Sequence, residues 1–170
     1  RGIEIASISD LPSNGTGMGA SSAFAVGLIK ALENFKYSEE ILSKDSLAEL
    51  ACIIEISLCK KPIGKQDQYA ASFGGFNFIE FLSDDRVIVN PLRIKKSVIN
   101  ELESSIILFF TGVSRDSDKI IDDQIKSLSN STDKPLDAMK RIKESSYRMK
   151  ELLLKGDVVG MAEELRVSWL

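Results

Sequence analysis

An α+β fold in two parts is what this sequence predicts, and three observations carry that prediction. A glycine-rich loop with Gly15, Gly17 and Gly19 runs into a small-residue segment, Ala20 to Ala23, and then an apolar stretch with helical spacing (Phe24, Val26, Leu28, Ile29). Phe76 to Asn90 reads as two alternating strands about a turn. Near Thr111 to Arg115 the composition shifts to polar, helix-forming sequence. An α/β part over residues 1–114 is therefore expected ahead of a helical part over residues 115–170.

In chain order, Ile3 to Ile8 alternates apolar and polar residues and predicts a short strand leading to Pro12. The glycine loop follows, then a helix to about Phe35 and a link from Tyr37 to Ser43. Ser46 with Glu49 three residues on reads as a capping box. It opens a helix with Leu47, Leu50, Ala51, Ile54 and Leu58 on one face, ending near Cys59. Pro62 and Gly64 break it, Gln66 to Ser72 makes a short helix, and Gly74-Gly75 stops that. Phe76 to Leu82 and Arg86 to Asn90 form the hairpin about Ser83-Asp84-Asp85. Leu92 to Ile94 extends an edge, and Ser105 to Phe110 is a candidate buried strand. Helices are then expected over Asp116 to Leu128, Pro135 to Leu154 and Val158 to Leu170, with a polar linker at Ser129 to Asp133 and a stop at Gly156-Asp157.

Composition narrows the function classes. The chain has 170 residues, 44% hydrophobic and 28% charged, with a net charge of −3. No global basic field argues for nucleic acid or an anionic membrane. Histidine is absent, which removes serine–histidine triads and histidine-ligated metals. Cys52 and Cys59 share one helical region and read as buried, reduced thiols of a cytoplasmic protein. No apolar run approaches bilayer length and no signal-peptide pattern is visible. Arg1-Gly2-Ile3 already reads as the start of a strand with no initiating Met, so the chain is expected to be a fragment.

Four stretches are candidates for chemistry. The glycine loop, with unpaired N–H groups and the positive dipole end of the next helix, suits a phosphate. It has neither the Gly-Lys-Ser/Thr ending of a Walker A loop nor Rossmann glycine spacing. Ser21 and Ser22 either add hydroxyl ligands to phosphate or Mg²⁺ or cap the helix. Asp67, in Gly64-Lys65-Gln66-Asp67-Gln68, is expected near a helix N-terminus that stabilises its carboxylate, as a functional group or as an N-cap. Glu55 sits among Ile53, Ile54, Ile56 and Leu58, facing either water or a cation in a cleft, because uncompensated burial is expensive. Arg115, after Ser105–Phe110, suits a bidentate phosphate contact or a plain turn, and Lys65 is either a phosphate contact or a solvated lysine.

Gly15-Thr16-Gly17-Met18-Gly19-Ala20-Ser21-Ser22-Ala23 resembles the second signature motif of the galactokinase, homoserine kinase, mevalonate kinase and phosphomevalonate kinase (GHMP) superfamily. The stretch around Asp67 is similar to that superfamily's catalytic-aspartate segment. PIGKQDQYAASFGGFNFIEF and FFTGVSRDSDKI resemble sugar kinases of the D-glycero-D-manno-heptose 7-phosphate kinase type. The resemblance implies an ATP-dependent kinase acting on a sugar phosphate at the anomeric hydroxyl, with a fucokinase-like enzyme or a non-catalytic nucleotide- or sugar-binding module as alternatives. It implies that Gly15, Gly17, Gly19, Ala20, Ser21 and Ser22 wrap the ATP phosphates. Ser21 and Glu55 would hold Mg²⁺, Asp67 would act at the sugar hydroxyl as base or orienting group, and Arg115 would bind the sugar's existing phosphate. The partners implied are small molecules, with neither nucleic acid nor membrane, and an oligomer is open. Ala20 departs from the serine common in family loops. The family's first and third motifs should precede Arg1 and follow Leu170, so the chain is expected to hold the middle of such a kinase: the central N-terminal domain and the first helices of the C-terminal one.

Overall fold

The computed structural model describes residues 2–8, 17–37, 39–109 and 133–169, which fall into two compact units: residues up to 73, and residues 74–109 with 133–169. Gly15, Arg115, the expected helix at 116–128 and the expected 114/115 domain boundary lie outside the described residues.

The first unit is helical. Helix α1 spans Ala20–Tyr37 and α2 spans Lys44–Cys52, which continues directly into a π-helical segment, Ile53–Leu58; α3 spans Gln66–Phe73. Val26 of α1 packs on Leu47 and Ala51 of α2, with Ala25, Ile29 and Leu42 around them. Ala48 and Ala51 are fully buried, and side chains this small let neighbouring helices approach closely. The Ser72 hydroxyl donates to the Lys44 carbonyl at 2.6 Å and Lys44 Nζ donates to the Phe73 carbonyl at 3.0 Å, so the end of α3 is tied to the start of α2.

Two expectations change here. Residues 2–8 have no regular secondary structure and lie exposed, because no described strand borders them and the pattern alone supplies no ladder. The cap of α2 is Ser43, whose hydroxyl accepts from the Ser46 N–H at 3.1 Å, so the helix starts before the expected Ser46–Glu49 box. The approach to this cap is held by Glu33 of α1. Its buried carboxylate accepts from the N–H groups of Ile41, at 2.7 Å, and Leu42, and from Lys30 Nζ at 2.9 Å. The Lys30 bond and these backbone donors hold the Glu33 carboxyl below the ordinary glutamate range.

The second unit contains the hairpin. Strands β1 (Asn77–Phe81) and β2 (Val87–Pro91) pair antiparallel, with Ile79 opposite Val89. Asp85 takes a positive φ of 65° in the turn, and the Leu82 N–H closes it on the Arg86 carbonyl at 2.9 Å. Helix α4 (Lys96–Ser105) had no start signal in the sequence: its N-cap, Lys95, makes no side-chain bond. Helices α5 (Asp133–Lys155) and α6 (Val158–Trp169) follow, close to expectation. Val98 and Leu102 of α4 pack on Leu153 of α5. Gly156 turns α5 into α6 at φ 79°, and a Cβ there would come within 2.8 Å of Val98 Cγ2. The strand expected over Ser105–Phe110 is corrected: Ser105 ends α4, and residues 106–109 are irregular and exposed, with Phe109 83% exposed. A strand gains its stability from a neighbour, and no described strand runs beside this one.

Ser43→Ala is expected to destabilise the chain by about 1 kcal/mol in urea unfolding, whereas Glu49→Ala should move the midpoint little. Glu33→Gln should lower the melting temperature near neutral pH. Because the folded Glu33 carboxyl sits below its unfolded value, its contribution is complete above the ordinary glutamate range and is lost as pH falls through the folded value. The melting-temperature gap between Glu33→Gln and the unsubstituted chain should therefore narrow as the pH is taken down below the ordinary glutamate range.

Candidate functional site

The site builds up from Glu55. Along α2 the positions Ala48, Ala51 and Cys52 are buried, and Glu55 continues that same face at helical spacing. The chain then widens into the π-helical turn, with the Cys59 N–H bonded to the Ile54 carbonyl at 2.8 Å. The widening ends the α-helical register. Leu58, expected on the buried face, is 71% exposed, and Cys59 is exposed as well, whereas Glu55 is 4% exposed. Cys52 and Cys59 are both free thiols, and the expectation that both are buried holds for Cys52 alone.

A buried carboxylate needs donors, and Glu55 has them from three other elements. The Ser21 hydroxyl donates to Oε1, and Gln68 Nε2 donates to Oε2 at 2.7 Å. Lys61 Nζ lies 3.1 Å from Oε1 and 2.8 Å from Ser21 Oγ. Ser22, itself buried, also bonds the carboxylate. Burial alone would raise the Glu55 carboxyl, but the bonds from Ser21, Ser22, Gln68 and Lys61 outweigh it and hold the group below the ordinary range. Glu55 is thus an anion at neutral pH.

The glycine loop meets α3 beside this cluster. Gly19 takes φ 64°, and its carbonyl accepts the Ala23 N–H at 2.9 Å, so Gly19 precedes α1 and both serines lie inside the first turn. Their hydroxyls therefore serve Glu55 rather than cap the helix. A Cβ at Gly19 would sit 3.3 Å from Asp67 Cγ and Oδ2, so the bare backbone is what leaves room for that carboxylate. Asp67 is in the first turn of α3, not at its N-cap, where the helix dipole favours an anion. Gly17, also at positive φ (68°), and Ala20 belong to the same loop and helix start.

Gly17, Gly19, Ala20, Ser21, Ser22, Glu55 and Asp67 are therefore all in the first unit, and Gly19–Asp67 and Ser21/Ser22–Glu55 are direct neighbours. Sequence reasoning missed Lys61 and Gln68 as members. Lys61 was legible only as part of a helix break. Gln68 is fully buried, and its Oε1 has no partner among the described residues. The described residues hold no cluster of three His, Cys, Asp or Glu side chains. Ser21 Oγ and Glu55 Oε1 nevertheless form an all-oxygen pair with an ammonium seated on both, which is the donor chemistry of a hard cation. No described helix is long and apolar enough to cross a membrane.

Comparison with known proteins bears on the same region. Residues 1–75 match the family model described as GHMP kinases N terminal domain. A D-glycero-alpha-D-manno-heptose 7-phosphate kinase of Campylobacter jejuni subsp. jejuni serotype O:2 is 43% identical over 161 residues, covering 95% of this chain and 46% of the relative. A bifunctional fucokinase/GDP-fucose pyrophosphorylase of Arabidopsis thaliana is 25% identical over 170 residues, covering 99% of this chain and 16% of the relative. The crystal structure of a D-glycero-D-manno-heptose 1-phosphate kinase from Bacteriodes thetaiotaomicron superposes with a TM-score of 0.77 at 39% identity, covering 94% of this chain and 44% of that one. The chain thus spans less than half the length of each of these relatives.

Gly19→Ala places a side chain in the left-handed region and against Asp67, so a loss of about 1–2 kcal/mol is expected in urea unfolding. Gly17→Ala should show the backbone penalty without the clash, since no described residue lies within 4 Å of its Cβ position.

Proposed function

We propose, from the match of residues 1–75 to the model described as GHMP kinases N terminal domain, that the protein is an ATP-dependent kinase of a sugar phosphate. The substrate we propose is D-glycero-D-manno-heptose 7-phosphate, phosphorylated at the anomeric hydroxyl to give the 1,7-bisphosphate. The observation that supports this most is the convergence of a positive-φ glycine backbone on Asp67 with a serine hydroxyl on the buried Glu55. One carboxylate faces a phosphate-type loop and the other is held as an anion beside it. The named relatives supply the sugar class.

In this reading Gly15, Gly17, Gly19, Ala20, Ser21 and Ser22 present N–H groups and the positive end of α1 to the triphosphate. Ser21 and Glu55 would hold Mg²⁺, which neutralises phosphate charge when bound. Asp67 orients the anomeric hydroxyl, or takes its proton, as that oxygen bonds to the γ-phosphorus and the bond to the β-phosphate oxygen breaks, leaving ADP. Gln68 keeps Glu55 aimed by bonding its second oxygen. Arg115, a guanidinium suited to a bidentate phosphate contact, is proposed to grip the phosphate already on the heptose. The proposed domain division is 1–114 for the N-terminal kinase domain and 115–170 for the start of the C-terminal one. A cytoplasmic location belongs to the same reading.

Calorimetric titration with MgATP should give saturable heat with this chain, and a folded chain giving none would sink nucleotide binding by it. In the kinase assay with heptose 7-phosphate, Asp67→Asn should lower kcat by roughly 10²–10⁴-fold. Arg115→Ala should raise KM for the sugar phosphate and leave KM for ATP unchanged. Equal turnover of the free sugar and its 7-phosphate by the unsubstituted enzyme would overturn the Arg115 assignment.

A further inference from the structure

We propose that Lys61 is a resident cation that holds the Ser21–Glu55 pair in ligand geometry and is displaced when a divalent metal ion binds there. The proposal rests on the reading of Ser21 and Glu55 as metal ligands and extends it to the state before the metal arrives.

Two independent features put Lys61 in this position. Its Nζ touches the same two oxygens that would ligate the metal, Ser21 Oγ at 2.8 Å and Glu55 Oε1 at 3.1 Å. Its backbone is anchored to the same residue: the Lys61 N–H donates to the Glu55 carbonyl at 3.0 Å. That return is made by Lys60, which takes the left-handed conformation at φ 56°, one of two described non-glycine residues to do so. A side chain is strained there, and such strain persists only where the surroundings impose it. The peptide thus folds back over the π-helical turn and delivers an ammonium to Glu55.

The charge arithmetic favours exchange. Glu55 is buried, and among the described residues the side chains that hydrogen-bond its carboxyl besides Lys61 are the neutral Ser21, Ser22 and Gln68. The Lys61 side chain is 40% exposed, so the ammonium sits at the solvent edge and can swing out without unpacking the core. A metal ion and the ammonium cannot both occupy the contact with Ser21 Oγ and Glu55 Oε1. Metal binding must therefore release Lys61, and Lys61 must weaken metal binding in the nucleotide-free chain.

The test is Mn²⁺ affinity in the absence of nucleotide, read by the paramagnetic resonance of the free ion, for the unsubstituted chain, Lys61→Met, Ser21→Ala and the Ser21→Ala/Lys61→Met double variant. Circular dichroism and urea unfolding confirm that each chain folds. Lys61→Met is expected to tighten Mn²⁺ binding about fivefold, the worth of a partly exposed ion pair, and the gain should vanish in the Ser21→Ala background. Independently, the Lys61 side-chain ¹⁵N resonance of the unsubstituted chain should shift toward that of a solvated lysine on Mg²⁺ addition. Unchanged or weaker Mn²⁺ binding by Lys61→Met, or a gain that persists in the Ser21→Ala background, with binding weakened by Ser21→Ala itself, would overturn the proposal and leave the ligand assignment standing. Mn²⁺ binding indifferent to Ser21→Ala, or absent from every chain, would overturn both.

Discussion

The first unit depends on the solvation of one buried carboxylate by protein groups. Glu55 reaches the interior because it continues the face of Ala48, Ala51 and Cys52, and its charge is sustained there by donors from α1, the segment after the π-helical turn, and α3. Each donor belongs to a different element of the unit. An unpaired buried carboxylate is costly enough that these elements are held in register around it. The same bonds that stabilise the anion also aim its oxygens.

Backbone geometry sets the rest of the site. Gly19 is a positive-φ position packed against Asp67, so one residue meets two demands that only glycine satisfies together. The π-helical turn after Glu55 changes the direction of the chain, and the left-handed Lys60 completes the return. These local irregularities lie where polar groups converge, which is where strained backbone tends to be retained. The regular helices serve mainly to bring them together: α2 packs on α1 through Val26, Leu47 and Ala51 and is tied to α3 through Lys44 and Ser72.

The second unit is built differently. Its hairpin and three helices pack through Val98, Leu102 and Leu153, with Phe78 and Tyr147 in ring contact at 5.0 Å and Arg148 paired with Glu164 at 2.9 Å. Apolar side chains at residues 106–109 remain exposed. The chain spans 46% of the heptose kinase relative.

The sequence by itself determined the α+β character, the helices near 20–37, 66–73, 133–155 and 158–169, and the hairpin, because each rests on local patterning, a breaker or a turn. It also carried the glycine motif, Ser21, Glu55 and Asp67, since those residue types stand out against their surroundings. Tertiary structure decided what local patterning does not encode. Strands expected at residues 3–8 and 105–110 did not form among the described residues, because a strand requires a partner and alternation does not supply one. The cap moved to Ser43 because Glu33, far off in α1, holds the approach to it. Leu58 turned outward because the helix widened. Gln68 and Lys61 joined the site through bonds that span 13 and 40 residues. Contacts over such separations depend on how the elements pack, and only the folded chain specifies that.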